Sequence, residues 1–406
     1  MKIGILTYHC VPNFGAQLQT LSTIGFIKKM GHTPVLLNWY PKDLEDLYRR
    51  RVSKKQIDCH LSFATNSFPL TPLCRNENQL VRQIEDYNLD MILTGSDALF
   101  KYVPSSQRNR QFSIRRFRFV NNYVSSEDIT QNPFFCDYYS QLHKKIPVVA
   151  FSVSSQNCPY YLMNEEERCL MKTHLSNFQS ITVRDSWTKN MVESILGSAN
   201  IKITPDPVFS FNANNYLKVL SKQEITEKYN LPQHYVLITF SQGQVSSEYI
   251  QSICSILKRH QITPVAFPEP EGLMDFGLTN VVQLPLSPID WYSLIVHSDG
   301  YIGTRMHPII VCLHNAIPFY SFDGNGIKDH LGGTFNQKSS KIYDILLQAG
   351  FDKNTYALKS DTQQPSAHEV VHSLLDFDKN KCFSFAKKMQ DMYVDEMIAL
   401  LKFINH

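Results

Sequence analysis

The chain has 406 residues, 43% hydrophobic and 19% charged, which is enough apolar surface for two sizeable cores and excludes a largely disordered chain. A formal net charge of +3, with no groove-reading motif beside it, excludes nucleic acid as an expected partner. Nine cysteines, odd in number, scattered and never spaced as CxxC, argue for a reducing compartment and against zinc or another metal cluster.

Residues 2–8 (KIGILTY) read as a strand without the longer apolar region of a signal peptide, and no apolar run reaches membrane-spanning length. The expected location is therefore cytoplasmic. A helix over 16–30 that stops at Gly31 and a strand over 34–39 complete a β-α-β opening. The loop between them lacks GxGxxG, so a dinucleotide is not indicated. Two readings of His9, Asn13 and Gln17 stand: they line a cleft at the first strand's end, or they belong to an ordinary loop that Asn13 turns. Residues 43–82 carry the basic run Arg49, Arg50, Arg51, Lys54 and Lys55, expected to be a solvated face, and otherwise show little periodicity. The strand 90–94 ends in Gly95-Ser96-Asp97, where Ser96 and Asp97 either face a cleft or cap the next segment.

Between 103 and 137 the apolar pattern fades, and Arg108, Arg110, Arg115, Arg116 and Arg118 interleave with Phe112, Phe117 and Phe119. Such a stretch suits an anionic polymer or lipid headgroups, and more often it is a lid or an edge strand kept soluble by charge. A continuous apolar strand follows over 146–153. The strand 181–183 leads into Arg184 and Asp185, with Asp185 placed to cap a helix over 186–195. The first lobe is expected over 1–220 with 103–137 as an insert, the second over 221–379, and a closing amphipathic helix within 380–406.

The second lobe repeats the pattern with strand 235–240, helix 246–259, strand 262–267 and a helix from Ser287 to His297 that carries Pro288 at its first position. The stretch 299–323, DGYIGTRMHPIIVCLHNAIPFYSFD, then reads as buried strand, buried helix, buried strand. Residues 309–313 are apolar on every face, which for a helix means burial all round. Arg305 and His307 interrupt this pattern at the strand-to-helix corner. Ligands of open α/β sheets bind at the carboxyl ends of strands, and a following helix N-terminus favours an anion. An anionic substrate fits there; the alternative is an Arg and a His paired with core carboxylates or carbonyls. The loop after 319–322 brings Lys328 to the same end of that strand.

With these stations in order, the chain resembles the polysaccharide pyruvyl transferase family over most of its length. KIGILTYHCVPNFGAQLQTL is similar to the family's opening, GSD at 95–97 to its GSDQ-type motif and VRDSWT at 183–188 to its Arg-Glu/Asp segment. ITPDPVF resembles its DP station and GTRMHPIIVCLHNAIPFYSF its Arg-x-His segment. The chain departs where GSDALF replaces GSDQ, where Pro308 stands in place of a common Gly, and in 103–137, which has no counterpart. The resemblance implies two Rossmann-like lobes facing across a cleft, similar to GT-B glycosyltransferases, with the last helix returning to the first lobe. It implies transfer of a pyruvyl group from phosphoenolpyruvate to two hydroxyls of a sugar, with no cofactor. Arg184, Arg305 and Lys328 suit the donor's carboxylate and phosphate because guanidinium and ammonium groups bind oxyanions. His307 is the expected proton carrier, and His9, Asn13, Gln17, Ser96 and Asp97 are the expected acceptor side. A glycan or lipid-linked sugar is the expected acceptor, which extends the expected location to the inner face of a membrane with peripheral association. Oligomeric state is not readable. A GT-B glycosyltransferase using a sugar nucleotide, or an inactive glycan-binding relative, shares the same fold pattern.

Overall fold

Short apolar runs buried on both faces become parallel strands, because helices cover each side of such a sheet. The computed structural model describes residues 1–108, 110–114, 117–121, 125–197, 200–211, 218–328 and 335–403. The chain opens with β1 (Lys2–Leu6), α1 (Phe14–Lys29), β2 (Thr33–Leu36), α2 (Lys42–Arg51), α3 (Lys54–Ser67), α4 (Glu77–Asp86) and β3 (Met91–Thr94). The single turn α5 (Ser105–Arg108) and the hairpin β4 (Arg110–Ile114) and β5 (Phe117–Asn121) precede β6 (Val148–Val153), α6 (Glu165–Leu175), β7 (Ser180–Val183), α7 (Ser186–Leu196) and β8 (Lys202–Ile203). Then come α8 (Lys222–Tyr229), β9 (Tyr235–Thr239), α9 (Ser247–Arg259), β10 (Thr263–Ala266), α10 (Pro288–Val296), β11 (Gly300–Gly303), α11 (Met306–Asn315) and β12 (Phe319–Asp323). The short β13 (Ile327–Lys328) and β14 (Phe335–Asn336), α12 (Lys341–Ala349), β15 (Thr355–Ala357), α13 (Ala367–Leu375) and α14 (Lys379–Phe403) close the described chain.

Contacts divide the chain into two compact units. One holds Met1–Cys10, Phe26–Tyr48 and Phe68–Thr204; the other holds Val11–Gly25, Arg49–Ser67 and Pro205–His406. Among the described residues the first unit carries a parallel sheet in the order β2-β1-β3-β6-β7-β8, and the second a parallel sheet in the order β10-β9-β11-β12-β15.

In the first unit every residue of β3 and β6 is buried. The sequence pattern expects a lid or an edge strand over 103–137, and the backbone there forms the antiparallel hairpin β4–β5, whose side chains lie outside the described residues. The segment after it is core: Phe134, Phe135 and Tyr138 are buried, and Phe135 stacks on Phe100 with centroids 5.1 Å apart.

The second unit packs α9 and α13 on one face of its sheet through Val236, Ile238, Ile250, Ile253, Leu257, Val370 and Leu374. Each such side chain contributes about 1.5–3 kcal/mol on burial. The long α14 packs on α11; Tyr393 and Met397 are fully buried, and Cys382 donates to the Leu313 carbonyl at 3.4 Å. The early segments of this unit are held there by side-chain amides. Gln19 of α1 donates to Asp206 at 2.5 Å, and Gln56 of α3 exchanges two hydrogen bonds with the backbone of Leu286 at 2.7 and 2.8 Å.

The aperiodic stretch 43–82 folds into α2, α3 and α4. In α2 only Leu44 and Glu45 are buried, and the exposed face carries charge, as the basic run anticipates. Among the described residues no helix is long and apolar enough to cross a membrane.

Candidate active site

In the first unit the candidate residues come from the carboxyl ends of β1, β3 and β7. Gly95 adopts φ +143°, and a Cβ there would lie 2.0 Å from the Phe151 carbonyl oxygen, so only glycine lets the chain leave β3 this way. Ser96 follows with its hydroxyl donating to the Ser152 carbonyl at 2.7 Å, while its own carbonyl accepts from the Thr7 hydroxyl at 2.7 Å. Asp97, also at positive φ, accepts from the Ala98 N–H at 2.7 Å and lies 3.8 Å from Nη2 of Arg184. The Arg184 side chain is only 2% exposed. Its backbone N–H donates to the Val153 carbonyl at 2.8 Å, and Asp185 caps α7 through the Thr188 N–H at 2.7 Å. The structure thus brings Ser96, Asp97 and Arg184 into one buried polar group. Ser154, which the sequence reading passes over, joins it by donating to Asp185 at 2.6 Å.

His9 belongs to the same unit but is committed elsewhere. Its Nδ1 lies 3.0 Å from the Thr7 carbonyl and its Nε2 3.0 Å from Oδ1 of Asn38, and burial pushes its pKa down. The loop that carries it is therefore tied to Asn38, just beyond β2.

In the second unit, α11 starts at Met306 with Arg305 as its N-cap residue, and Pro308 in the first turn has no N–H to offer. The helix end still directs N–H groups and partial positive charge at its mouth. His307 is half-buried and packs directly against Gly15 in the first turn of α1: a Cβ on Gly15 would fall 1.9 Å from Cγ and 2.2 Å from Nδ1 of the imidazole. Gly15 is thus the space in which His307 sits, a role its position at a helix start does not disclose.

Arg305 meets the alternative its sequence pattern left open. Its guanidinium makes a bidentate pair with Glu269, Nε to Oε1 at 2.5 Å and Nη2 to Oε2 at 2.7 Å, and Nη2 lies 3.5 Å from Glu271. The Glu269 hydrogen bonds raise the arginine's pKa further above its usual value. The arginine side chain nonetheless remains 50% exposed. Glu269 was missed because it is 36 residues away; the hint available is FPEPEG at the end of a strand, a loop stiffened by two prolines that presents two carboxylates.

Asn13 and Gln17 have structural work in this unit. Asn13 caps α1 by accepting from the Ala16 N–H at 3.1 Å. Gln17 is fully buried, donating to the His60 carbonyl at 3.0 Å and accepting from His60 Nδ1 at 2.7 Å. With its amide engaged at both ends, Gln17 ties α1 to α3 in the interior. Burial pushes the His60 pKa down to about 3, which keeps its imidazole neutral and able to hold this contact. Lys328 lies in β13, and its side chain is outside the described residues. Among the described residues no three His, Cys, Asp or Glu side chains are grouped to hold a metal ion.

The family model for polysaccharide pyruvyl transferase matches residues 13–326. No curated protein matches the chain by sequence. Among solved structures, the spinosyn forosaminyltransferase SpnP is similar with a TM-score of 0.53 at 11% identity, covering 100% of both chains. A UDP-GlcNAc 2-epimerase from Methanocaldococcus jannaschii is similar with a TM-score of 0.54 at 10% identity, covering 99% of this chain and 100% of that one. UGT89C1 from Arabidopsis thaliana, solved with UDP-L-rhamnose, reaches a TM-score of 0.51 at 10% identity over 98% of each chain. At such identities these neighbours show the fold, a GT-B-like pair of parallel α/β units.

Proposed function

Since the chain belongs to the polysaccharide pyruvyl transferase family, we propose that it moves a pyruvyl group from phosphoenolpyruvate to two hydroxyls of one sugar. The observation that carries this reading is the corner of the second unit, where His307 rests on Gly15 two residues from a half-exposed Arg305 at the start of α11. The donor carries a carboxylate and a phosphate, and a guanidinium beside a helix N-terminus suits either. Arg305 is the donor ligand in this reading. Arg184 remains a second candidate, offset by Asp97.

The reaction needs two additions at one carbon. The first acceptor hydroxyl adds to C2 of the enol phosphate, giving up its own proton, while C3 takes a proton and becomes a methyl group. The second hydroxyl then replaces phosphate at C2, its proton leaving with the phosphate, and the ring closes as a ketal. In this reading His307 supplies or accepts the proton at the first step, a role worth roughly 100- to 10,000-fold. The acceptor is a glycan or lipid-linked sugar, and no resident cofactor is required.

The test is phosphate release from phosphoenolpyruvate across galactosyl, glucosyl and mannosyl acceptors, run beside the same acceptors with sugar nucleotides. Stoichiometric phosphate and a ketal product are expected. Consumption of a sugar nucleotide, with phosphoenolpyruvate untouched, overturns the reading in favour of glycosyl transfer.

A further inference from the structure

We propose that Glu269 is a positioning residue for the donor-binding fork of Arg305, an inference that rests on the donor reading above. Both short contacts fall on Nε and Nη2, one edge of the planar guanidinium, so Nη1 is left for a second oxyanion. The arginine side chain is 50% exposed while that of Glu269 is 11% exposed, so the pair has a sheltered side and an open side. A flexible arginine at a helix start has many rotamers, and a bidentate carboxylate selects one of them.

The carboxylate itself is held from behind. Ser241, just beyond β9, donates its hydroxyl to Oε2 of Glu269 at 3.1 Å. The loop closes on itself through Glu269 N–H to the Gly272 carbonyl at 2.9 Å and Gly272 N–H to the Glu269 carbonyl at 3.0 Å. A Glu269 that released Arg305 to a ligand would be left mostly buried with one hydroxyl partner, which is unfavourable for an unpaired carboxylate. The pair therefore persists when an anion arrives, and the anion meets an arginine already aimed. Glu271, 38% exposed, adds a second carboxylate 3.5 Å from Nη2.

Calorimetry with phosphoenolpyruvate on the full chain tests this, using wild type, Glu269→Gln, Glu269→Asp, Arg305→Ala and the double variant Glu269→Gln/Arg305→Ala. A glutamine keeps the volume but presents an amide N–H to one guanidinium N–H, so only one contact survives. Donor Kd is expected to rise about tenfold in Glu269→Gln, with acceptor KM unchanged, and Glu269→Asp to recover part of the loss. In the Arg305→Ala background Glu269→Gln should add nothing, because its effect runs through the arginine. Unchanged or tighter binding in Glu269→Gln overturns the proposal, as does an equal loss in the Arg305→Ala background, which would mark a merely structural residue. If wild type binds no phosphoenolpyruvate, or Arg305→Ala binds it normally, the donor reading itself falls and this inference with it. If Arg305→Ala is weakened and Glu269→Gln is not, only the role of Glu269 falls.

Discussion

Arg184 and Arg305 occupy similar places, each at a corner between a parallel strand and the helix that follows, yet their surroundings differ. Arg184 is sealed, 2% exposed, with Asp97 at 3.8 Å and a network of Ser96, Ser154 and Asp185 around it. Arg305 is half exposed, and its partner Glu269 covers only one edge of the fork. The same sequence logic therefore yields two kinds of site: a buried charge beside a buried carboxylate, and an oriented, half-exposed charge with one edge of its fork open. His307 sharpens the contrast, since it stands beside the exposed arginine and against a glycine that leaves room for it.

The largest expected effect follows from that last contact. His307→Gln should lower kcat by roughly 100-fold or more while leaving phosphoenolpyruvate affinity near wild type. Gly15→Val should reproduce the loss with His307 intact, because its side chain would occupy the imidazole's place. Normal turnover in either variant would remove His307 from the chemistry. The next effect separates the two arginines. Arg184→Ala leaves Asp97 without its buried cation and should cost about 2 kcal/mol of unfolding free energy in urea titration. Arg305→Ala strips the largely buried Glu269 of its bidentate partner, so it should cost stability of the same order while also losing donor affinity. Equal loss of donor affinity in both would erase the distinction drawn between them.

The strands were legible because they are short runs buried on both faces; β6 and β9 need nothing beyond their own apolar sequence. Helices were less so where tertiary charge pairs replace an apolar stripe. In α2, Arg75 from beyond the helix reaches Glu45 at 2.5 Å, a contact that periodicity does not encode. The polar stretch around α8 did contain a signal, the capping box of Ser221 and Glu224, and α13 begins the same way with Ser366 and Glu369. At the site, Arg305 and His307 stood out as polar residues in an apolar stretch. Asn13, His9 and Gln17 are held by hydrogen bonds that the sequence does not show, and those of His9 and Gln17 reach 29 and 43 residues along the chain. Glu269 and Gly15 matter through contacts with residues far along the chain, which no local pattern reveals.

The last effect concerns the interior of the second unit, where two histidines are kept neutral by burial. His60 has its pKa pushed down to about 3 and His314 to about 4, the latter with Nε2 on the Phe211 carbonyl at 3.2 Å. In the unfolded chain both titrate near 6.5, so below that pH the unfolded state binds protons that the folded state refuses. Their contribution is fully present above about pH 6.5 and is lost as pH falls toward 4, at up to about 1.4 kcal/mol per pH unit for each group. Replacing His60 with Gln removes one of the two terms. Urea unfolding between pH 7 and 4.5 should therefore show a shallower loss of stability in His60→Gln than in wild type, whatever the offset at pH 7. Carboxylates that titrate in the same range act on both proteins alike, so the difference in slope isolates the histidine. Parallel curves would mean that His60 accepts a proton in the folded state, and that the α1–α3 contact through Gln17 tolerates an imidazolium.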